Sequence, residues 1–509
     1  MSLQELMRQR REKLATWRAI GVEPYAYRFE PTHHAADILA WGERVSAEAG
    51  PLVRVAGRVM SLRGHGKAGF AHLLDGSGRI QVYFRADRLL DQYRRFELLD
   101  VGDWVGVAGH VFRTRTGEIT IRADSVELLA KSIRPLPEKW HGLRDPETRF
   151  RQRYADLIMN PPVRETFRRR ARLVAALRSR LDREGYLEVE TPVLQPLYGG
   201  AFARPFVTQH HALDLQLYLR ISDELYLKRL VVGGLERVYE FSRDFRNEGM
   251  DRAHNPEFTL LEFYRAFADV HDMMSFTEEL VREAVVAAAG GPVIEWQGRR
   301  LDFGRPGWPR VSLLDAVGRE VGEDVSAVDR AQLARLAASR GIETRPGTGA
   351  GGFLDALFGA LVEPGLDGPC FVVDFPAETS PLARASRARP GVVERFELYA
   401  GGMELANAFS EQNDPAAQRA AFEDQMVRRS EGDEEAQVLD RDYVRALEYG
   451  LPPTGGVGIG VDRLAMLVTD SRSIRDVILF PLLRPEEGLG EEEDEDLAAP
   501  APGEGSDPR

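Results

Sequence analysis

The chain has 509 residues, 43% of them hydrophobic and 29% charged: too long for one core of ordinary size, and composed like a soluble protein of two or more domains. No uninterrupted apolar run of about 18 residues occurs, so no membrane-spanning helix is expected. The single cysteine, Cys370, excludes an intramolecular disulfide and any cysteine-based zinc site, which points to a reducing compartment, the cytoplasm. The net charge of −13 is concentrated at one end: residues 486–509 carry ten acidic residues against one Arg, leaving the body at −4, so a polyanionic partner is not excluded.

Residues 1–50 read as an N-terminal helical segment. Leu3, Met7, Leu14 and Trp17 recur at helical spacing in a stretch too charged for a secretory signal. Residues 51–135 change texture: five short runs rich in β-branched and aromatic residues, punctuated by Gly-containing turns, predict a small β-barrel. Residues 136–163, with Pro137, Pro161 and Pro162, read as a linker. Phe167, Ala171, Val174, Leu177 and Leu181 then define the apolar face of an arginine-rich helix, and LEVETPVL reads as a strand ending at Pro192. Further strands are expected at LYLRIS, ERVYEFSRDF, FTLLEFYRAF, CFVVDFP, RFELYAGGMELANAF and GVGIGV, with helices at 272–289, 310–321, 329–340, 414–430 and 440–448. Residues 164–485 are thus an α+β domain on a large, mainly antiparallel sheet, with an insertion at about 290–375. The Glu-, Pro- and Gly-rich tail, 486–509, is expected to be disordered.

Three stretches carry chemistry. In FRNEGMDRAHNPEF, Arg246 and Glu248 lie two apart and share a side if the strand continues, with His254, Asn255 and Phe258 beyond a loop. Arg beside a carboxylate, then a basic residue and an aromatic, suits a bent nucleotide; taken alone, it equally suits an Arg–Glu pair in a hairpin. In GVGIGVDRLAML, glycines at 456, 458 and 460 leave one strand face bare, and Arg463 at the next helix start would reach a phosphate or stack on a base. Here the alternative is a strand packed closely on a helix. In RFELYAGGMELANAFSE, Glu397 and Glu404 would hold Mg²⁺ beside a nucleotide, and Glu411 is an acid in apolar surroundings that calls for a cation. Each of these acids could also be a paired surface group.

Together these stretches resemble the second and third signature motifs of the class II aminoacyl-tRNA synthetases, and the arginine-rich helix with LEVETPVL resembles the first. GGAFARPF, ELYLKRLVVGGLERVYE, RNEG, HNPEF, PAETSPLAR, ELANAF and EYGLPPTGG, in this order, resemble the bacterial-type lysyl-tRNA synthetase family over residues 1–485. The resemblance implies a lysine–tRNA ligase. Lysine and ATP would give lysyl-adenylate and pyrophosphate, and the lysyl group would pass to the terminal adenosine of tRNA(Lys).

What the resemblance implies for single residues follows the motifs. Arg246 and Arg463 are the catalytic cations. Arg246, Glu248, His254, Asn255, Phe258 and Arg463 hold ATP, and Glu397 and Glu404 hold Mg²⁺. Gly200, Glu224, Glu262, Tyr264, Asn407 and Glu411 form the lysine pocket, with Glu224 at the α-amino group and Glu411 and Tyr264 at the ε-ammonium. The barrel becomes an OB-fold anticodon domain, read by Arg63, Phe70, His72, Gln81 and Glu118. A homodimer through the first motif is implied. Ala253 and Met403 depart from the pattern, at positions where relatives carry Arg. Rival readings are an aspartyl or asparaginyl enzyme, a ligase that lysylates protein, and a nucleotide-binding regulator.

Overall fold

Polar–apolar alternation closes a barrel in the first part of the chain. In the computed structural model, which describes residues 1–48, 50–137, 143–344, 347–430 and 436–485, the chain divides into the units Met1–Arg144 and Asp145–Arg509. The first unit runs α1 (Leu3–Ala19), α2 (Ala35–Leu39), β1 (Leu52–His65), β2 (Ala68–Leu74), β3 (Arg79–Arg85), α3 (Ala86–Leu89), α4 (Tyr93–Phe96), β4 (Trp104–Arg113) and β5 (Ile119–Ala130). The strands close in the order β1-β2-β3-β5-β4. Ala71, Leu73, Ile80, Val82 and Phe84 point inward, so Phe70, His72, Gln81 and Tyr83, out of phase with them, face outward.

The N-terminal segment belongs to this unit and is not a separate domain. Ser2 caps α1 by accepting from Glu5 N at 3.2 Å. Trp17 is buried in the barrel's apolar cluster, and Arg10 donates to the carbonyls of Val101 (2.9 Å) and Ser132 (3.1 Å).

The linker expected at 136–163 is largely regular structure of the second unit; its residues 138–142 lie outside the described residues. It holds α5 (Pro146–Arg151) and α6 (Arg153–Met159), and α7 (Pro161–Arg183) starts at its prolines. Prolines there are starters, not breakers, because the first turn of a helix has no use for its N–H groups. Asp145 caps α5 through Thr148 N at 2.7 Å, and the buried Arg153 pairs with the buried Asp156 at 2.7 Å. The buried face of α7 is Val163, Leu173, Leu177 and Leu181; Ala171 is exposed and Phe167 only half-buried, so the expected face was rotated.

The remaining elements are β6 (Leu187–Glu188), β7 (Leu194–Gln195), β8 (Val207–His210), β9 (Leu215–Leu219), α8 (Glu224–Val232), β10 (Arg237–Phe245), β11 (Glu257–Ala266), α9 (Val270–Ala289), β12 (Val293–Trp296), β13 (Arg299–Asp302), β14 (Arg310–Ser312), α10 (Leu313–Val321), α11 (Arg330–Ser339), α12 (Ala350–Leu361), β15 (Cys370–Val373), β16 (Arg395–Ala400), β17 (Met403–Ser410), α13 (Pro415–Ser430), α14 (Arg441–Glu448), β18 (Thr454–Gly460), α15 (Val461–Thr469) and α16 (Ile474–Val477). LEVETPVL is therefore not one strand but two short ones, β6 and β7, in different sheets.

The main sheet has the order β14-β15-β16-β17-β18-β11-β10-β6, antiparallel except at its two edge pairs. β14 and β15 come from the supposed insertion, so that segment extends the sheet and is not self-contained; its own helices are α10 to α12. Leu261, Phe263, Ala406, Ala408, Val457 and Ile459 put one sheet face into the main core with α9 and α15. The alternate residues of the same strands build the other face. The acidic tail, 486–509, lies outside the described residues.

Candidate active site

Register lays the site out in rows across the sheet. Glu397, Asn407, Gly458, Glu262 and Glu240 are successive partners from β16 through β17, β18 and β11 to β10. The next row runs Arg395, Phe409, Gly456, Tyr264 and Val238. A glycine between larger residues in each row opens the face, and a cavity of about 380 Å³ lies over it. Every residue assigned from the sequence to ATP, lysine or Mg²⁺ lines that one cavity.

One end is cationic. Arg463 sits in the first turn of α15, whose Asp462 is anchored by Thr259 N (2.7 Å) and by Arg170 of α7 (2.5 Å). From there Arg463 donates to Glu404 Oε2 at 3.0 Å and to His254 Nε2 at 3.0 Å. Because a guanidinium can only donate, Nε2 must accept, and His254 carries its proton on Nδ1, toward Asp251 at 2.8 Å. Strand β10 ends at Phe245, so Arg246 and Glu248 lie on the loop and not on a shared strand side as expected. Arg246 lies over the ring of Phe258, 5.0 Å from its centroid. Asn255 is buried and donates to Glu257 O at 2.6 Å, leaving its Oδ1 inside without a hydrogen bond. Ala253 lines the cavity, while Arg252 is exposed and not among the lining residues.

The other end is acidic. Glu262 accepts from Ser222 Oγ and Tyr264 OH, each at 3.0 Å. Burial, with Glu224 and Asp244 adding their charge, pushes its carboxyl up. Gly200 adopts φ +88°, and a Cβ there would stand 2.8 Å from Ser222 Oγ. Glu224 and Glu411 both contact the ammonium of Lys228, a residue the sequence did not single out. At Gly456 a Cβ would lie 2.3 Å from Glu411 Oε1 and from the Tyr264 ring, whereas at Gly458 its nearest neighbour would be Glu262 Cγ at 3.7 Å. Asp223 and Asp244, also missed, bring carboxylate oxygens within 4.8 Å of Glu262. Asp244 adds its charge to the field on Glu262, while burial pushes the Asp223 carboxyl well up.

Glu397 and Glu404 face the cavity from β16 and β17. Burial, then the charge of Glu404, pushes the Glu397 carboxyl up, against the pull of Arg395; Tyr399 OH donates to it at 2.7 Å. Two acids facing one cavity, one of them disfavoured as an anion by burial and by its neighbour's charge, fit a divalent cation with phosphate and water completing its shell.

On the barrel, Phe70 is 36% exposed and stacked on Tyr83 at 4.6 Å, so it is surface and not core. His72 Nε2 and Gln81 Nε2 reach the two oxygens of Glu118 at 3.2 and 2.8 Å, and Ser61 holds His72 Nδ1 at 2.9 Å. Burial and then Arg79 lower the His72 imidazole below its usual range, Glu118 opposing. Arg63 pairs with Phe70 in register and is exposed. Tyr83 and Phe112 extend the aromatic surface, 6.2 Å apart, and were not anticipated.

A sheet of this order, with arginines at one end of its open face and acids at the other, defines a class II synthetase domain. The family of tRNA synthetases class II (D, K and N) matches residues 145–484, and the OB-fold nucleic acid binding domain matches residues 53–129. Lysine–tRNA ligase of Carboxydothermus hydrogenoformans is 53% identical over 485 residues, 95% of this chain and 99% of the relative. That of Pelotomaculum thermopropionicum is 54% identical over 489 residues, 95% and 96% of the two chains, and that of Anaeromyxobacter dehalogenans 51% over 502, 94% and 98%. The chain belongs to the lysine–tRNA ligase family of the class II synthetases. No helix among the described residues is long and apolar enough to cross a membrane.

Proposed function

We propose that the cavity performs both steps of an ATP-dependent lysine–tRNA ligase. A carboxylate oxygen of lysine attacks the α-phosphorus of ATP, and pyrophosphate leaves. The terminal-adenosine hydroxyl of tRNA(Lys) then attacks the acyl carbon of lysyl-adenylate, and AMP leaves. No protein nucleophile is needed: the chain contributes positioning and charge.

Arg246 and Arg463 balance the phosphate charge in the displacement. Glu248, His254 and Asn255 line the nucleotide end, and Phe258 supplies the stacking face for adenine. Glu397 and Glu404 would hold Mg²⁺, which supplies charge neutralisation on the phosphates. Glu262, Glu224 and Gly200 receive the α-amino group, Asn407 the carboxylate, and Glu411 with Tyr264 the ε-ammonium. Arg63, Phe70, His72, Gln81 and Glu118 read the anticodon. The protein acts in the cytoplasm, as a homodimer; light scattering that found a monomer at micromolar concentration would overturn the latter.

One observation carries the choice of amino acid: the end of the cavity away from Arg246 and Arg463 is lined by buried Glu224, Glu262 and Glu411. An aspartate or asparagine pocket would need a free cation or neutral donors there. The nearby cations are already paired with acids, Lys228 with Glu224 and Glu411 and Arg395 with Glu397. The test is ATP–pyrophosphate exchange with each amino acid in turn. Lysine alone should support exchange; exchange driven by aspartate or asparagine would sink this reading.

A further inference from the structure

Lys228 is 0% exposed, in the interior of a domain where a lone ammonium would be strongly disfavoured. It lies on α8, four residues after Glu224, so the two side chains stack on the same helix face. Its Nζ is 2.5 Å from Glu224 Oε1 and in contact with Glu411 Oε2. The ring of Tyr443 on α14 stands 5.8 Å away. One internal ammonium thus joins α8 to the end of β17 at the floor of the amino-acid pocket.

We propose that Lys228 is a positioning residue for the substrate side chain: a fixed ammonium that engages one oxygen of Glu411 and directs the other at the incoming cation. This rests on the reading above, in which Glu411 receives the ε-ammonium. The geometry divides the Glu411 carboxylate in two. Oε2 is taken by Lys228, while Oε1 lies where a Cβ on Gly456 would come within 2.3 Å, on the open strand face.

The groups around Lys228 sustain this arrangement. Burial alone would pull its ammonium toward the neutral form, but Glu224 and Glu411 outweigh burial and hold it charged. Burial pushes both acids up, Glu411 to about 8, and Lys228 is the main opposing pull on each. On Glu224, Arg395 of β16 adds a smaller pull. The remaining titratable neighbours are Tyr443 on α14, whose hydroxyl proton is held by burial, and Tyr264 and Glu262 on β11. Arg229, on the same helix as Lys228, lies over the Tyr443 ring at 5.5 Å. Without Lys228, Glu411 would face Glu224 in a buried pocket with no cation between them, and would take up a proton. A protonated Glu411 binds an ammonium poorly and tolerates an apolar side chain. Lys228 therefore also sharpens rejection of neutral isosteres, since a neutral guest leaves an ionised oxygen unpaired.

The experiment is ATP–pyrophosphate exchange on the full chain between pH 6 and 9, with lysine and with norleucine, for wild type, Lys228→Met and Glu411→Gln. For Lys228→Met the lysine KM should rise at least tenfold at pH 7 and fall again as pH increases and Glu411 ionises. Wild type should reach its full lysine affinity at lower pH than the variant, because Lys228 pulls the Glu411 carboxyl down. The ATP KM should hold within about twofold, and the lysine-to-norleucine ratio of kcat/KM should drop at least tenfold. A lysine KM and pH profile matching wild type would overturn the proposal, as would equal losses for lysine and ATP without a pH trend. If Lys228→Met does not fold, Lys228→Gln removes the ammonium but keeps a polar side chain and must give the same fall of lysine KM with pH; a profile matching wild type overturns the proposal. Glu411→Gln separates the two readings. Unchanged lysine KM there sinks the pocket assignment itself, whereas a raised KM there with a silent Lys228→Met sinks the role of Lys228 alone.

Discussion

Arg395 donates from Nε to Asn407 Oδ1 at 3.0 Å. The two sit on neighbouring strands, β16 and β17. Since Arg has only donors, the atom of Asn407 that faces it must be the oxygen, and the amide NH₂ is left for the cavity. The same guanidinium donates to Ser380 Oγ at 2.8 Å and to Glu397, and lies over the Phe375 ring at 4.2 Å. Arg395 thus orders a proposed carboxylate donor and a proposed Mg²⁺ ligand together.

Asn407→Asp tests that orientation. The new carboxylate would keep Arg395 as partner but present an oxygen, not an NH₂, to the carboxylate of lysine. A hydrogen bond to a charged group contributes roughly 1.5–3 kcal/mol. At about 1.4 kcal/mol per decade, the lysine KM in pyrophosphate exchange should rise at least about tenfold. Lysine binding left unchanged would place the substrate carboxylate elsewhere.

Glu411→Gln and Glu404→Gln should separate the two halves of the cavity. The first keeps size and one acceptor but leaves the ε-ammonium without its counter-charge, so the lysine KM should rise by about tenfold or more while the ATP KM barely moves. The second removes an acid that contacts Arg463 and faces Glu397, so ATP and Mg²⁺ use should suffer first. Steady-state exchange with each substrate varied decides it; losses of equal size for both substrates in both variants would contradict the division.

Much of this site was readable in the sequence because its residues lie in short runs with unusual chemistry: alternating glycines, paired acids, an Arg–Glu step. What escaped is long-range partnership. Glu224 and Lys228, four apart on a helix, have the spacing of an ordinary solvated ion pair. Only the fold, by packing α8 against β11 and α14, buries them and adds Glu411 from nearly two hundred residues away. Arg395 falls within a conspicuous run, RFELYAGG, yet its role depends on a register across two strands. The prolines at 161 and 162 look like linker in the sequence because a proline pair starting a helix and one interrupting it are alike without the following turn. The rotated face of α7 has a similar cause: Leu173 is buried among arginines whose stems share its side, so the apolar stripe was drawn through Ala171 instead.

Gly456→Ala and Gly458→Ala should differ sharply, though both sit on β18 and face the cavity. At 456 the methyl would meet Glu411 Oε1 and Tyr264 at 2.3 Å and must displace both. Overpacking of this kind costs about 1–3 kcal/mol of stability, and the lysine KM should rise along with it. At 458 the methyl has 3.7 Å to its nearest neighbour, so the melting temperature should not change. Its effect should appear only with substrates bound, as a loss of exchange activity. Thermal melts and exchange kinetics on the two variants test this; identical behaviour would mean that the glycines do not divide the strand face as described.

Phe70→Ala tests the barrel. Phe70 lies on the outer face of β2, stacked on Tyr83 and outside the apolar cluster, so its removal should leave the barrel folded. A base stacked on an aromatic side chain is worth about 1–3 kcal/mol by alanine substitution. If an anticodon base extends this stack, the KM for tRNA in the charging reaction should rise by roughly tenfold. Lysine- and ATP-dependent pyrophosphate exchange, which involves no tRNA, should be unchanged. Glu118→Gln, which alters the hydrogen bonds made by His72 and Gln81, should instead change discrimination among tRNAs more than affinity for all of them, because hydrogen-bonding edges read bases whereas stacking tolerates any. Charging assays with tRNA(Lys) and a tRNA altered at one anticodon base distinguish the two effects. If Phe70→Ala lowered exchange and charging alike, the stack would be serving the fold and not the tRNA.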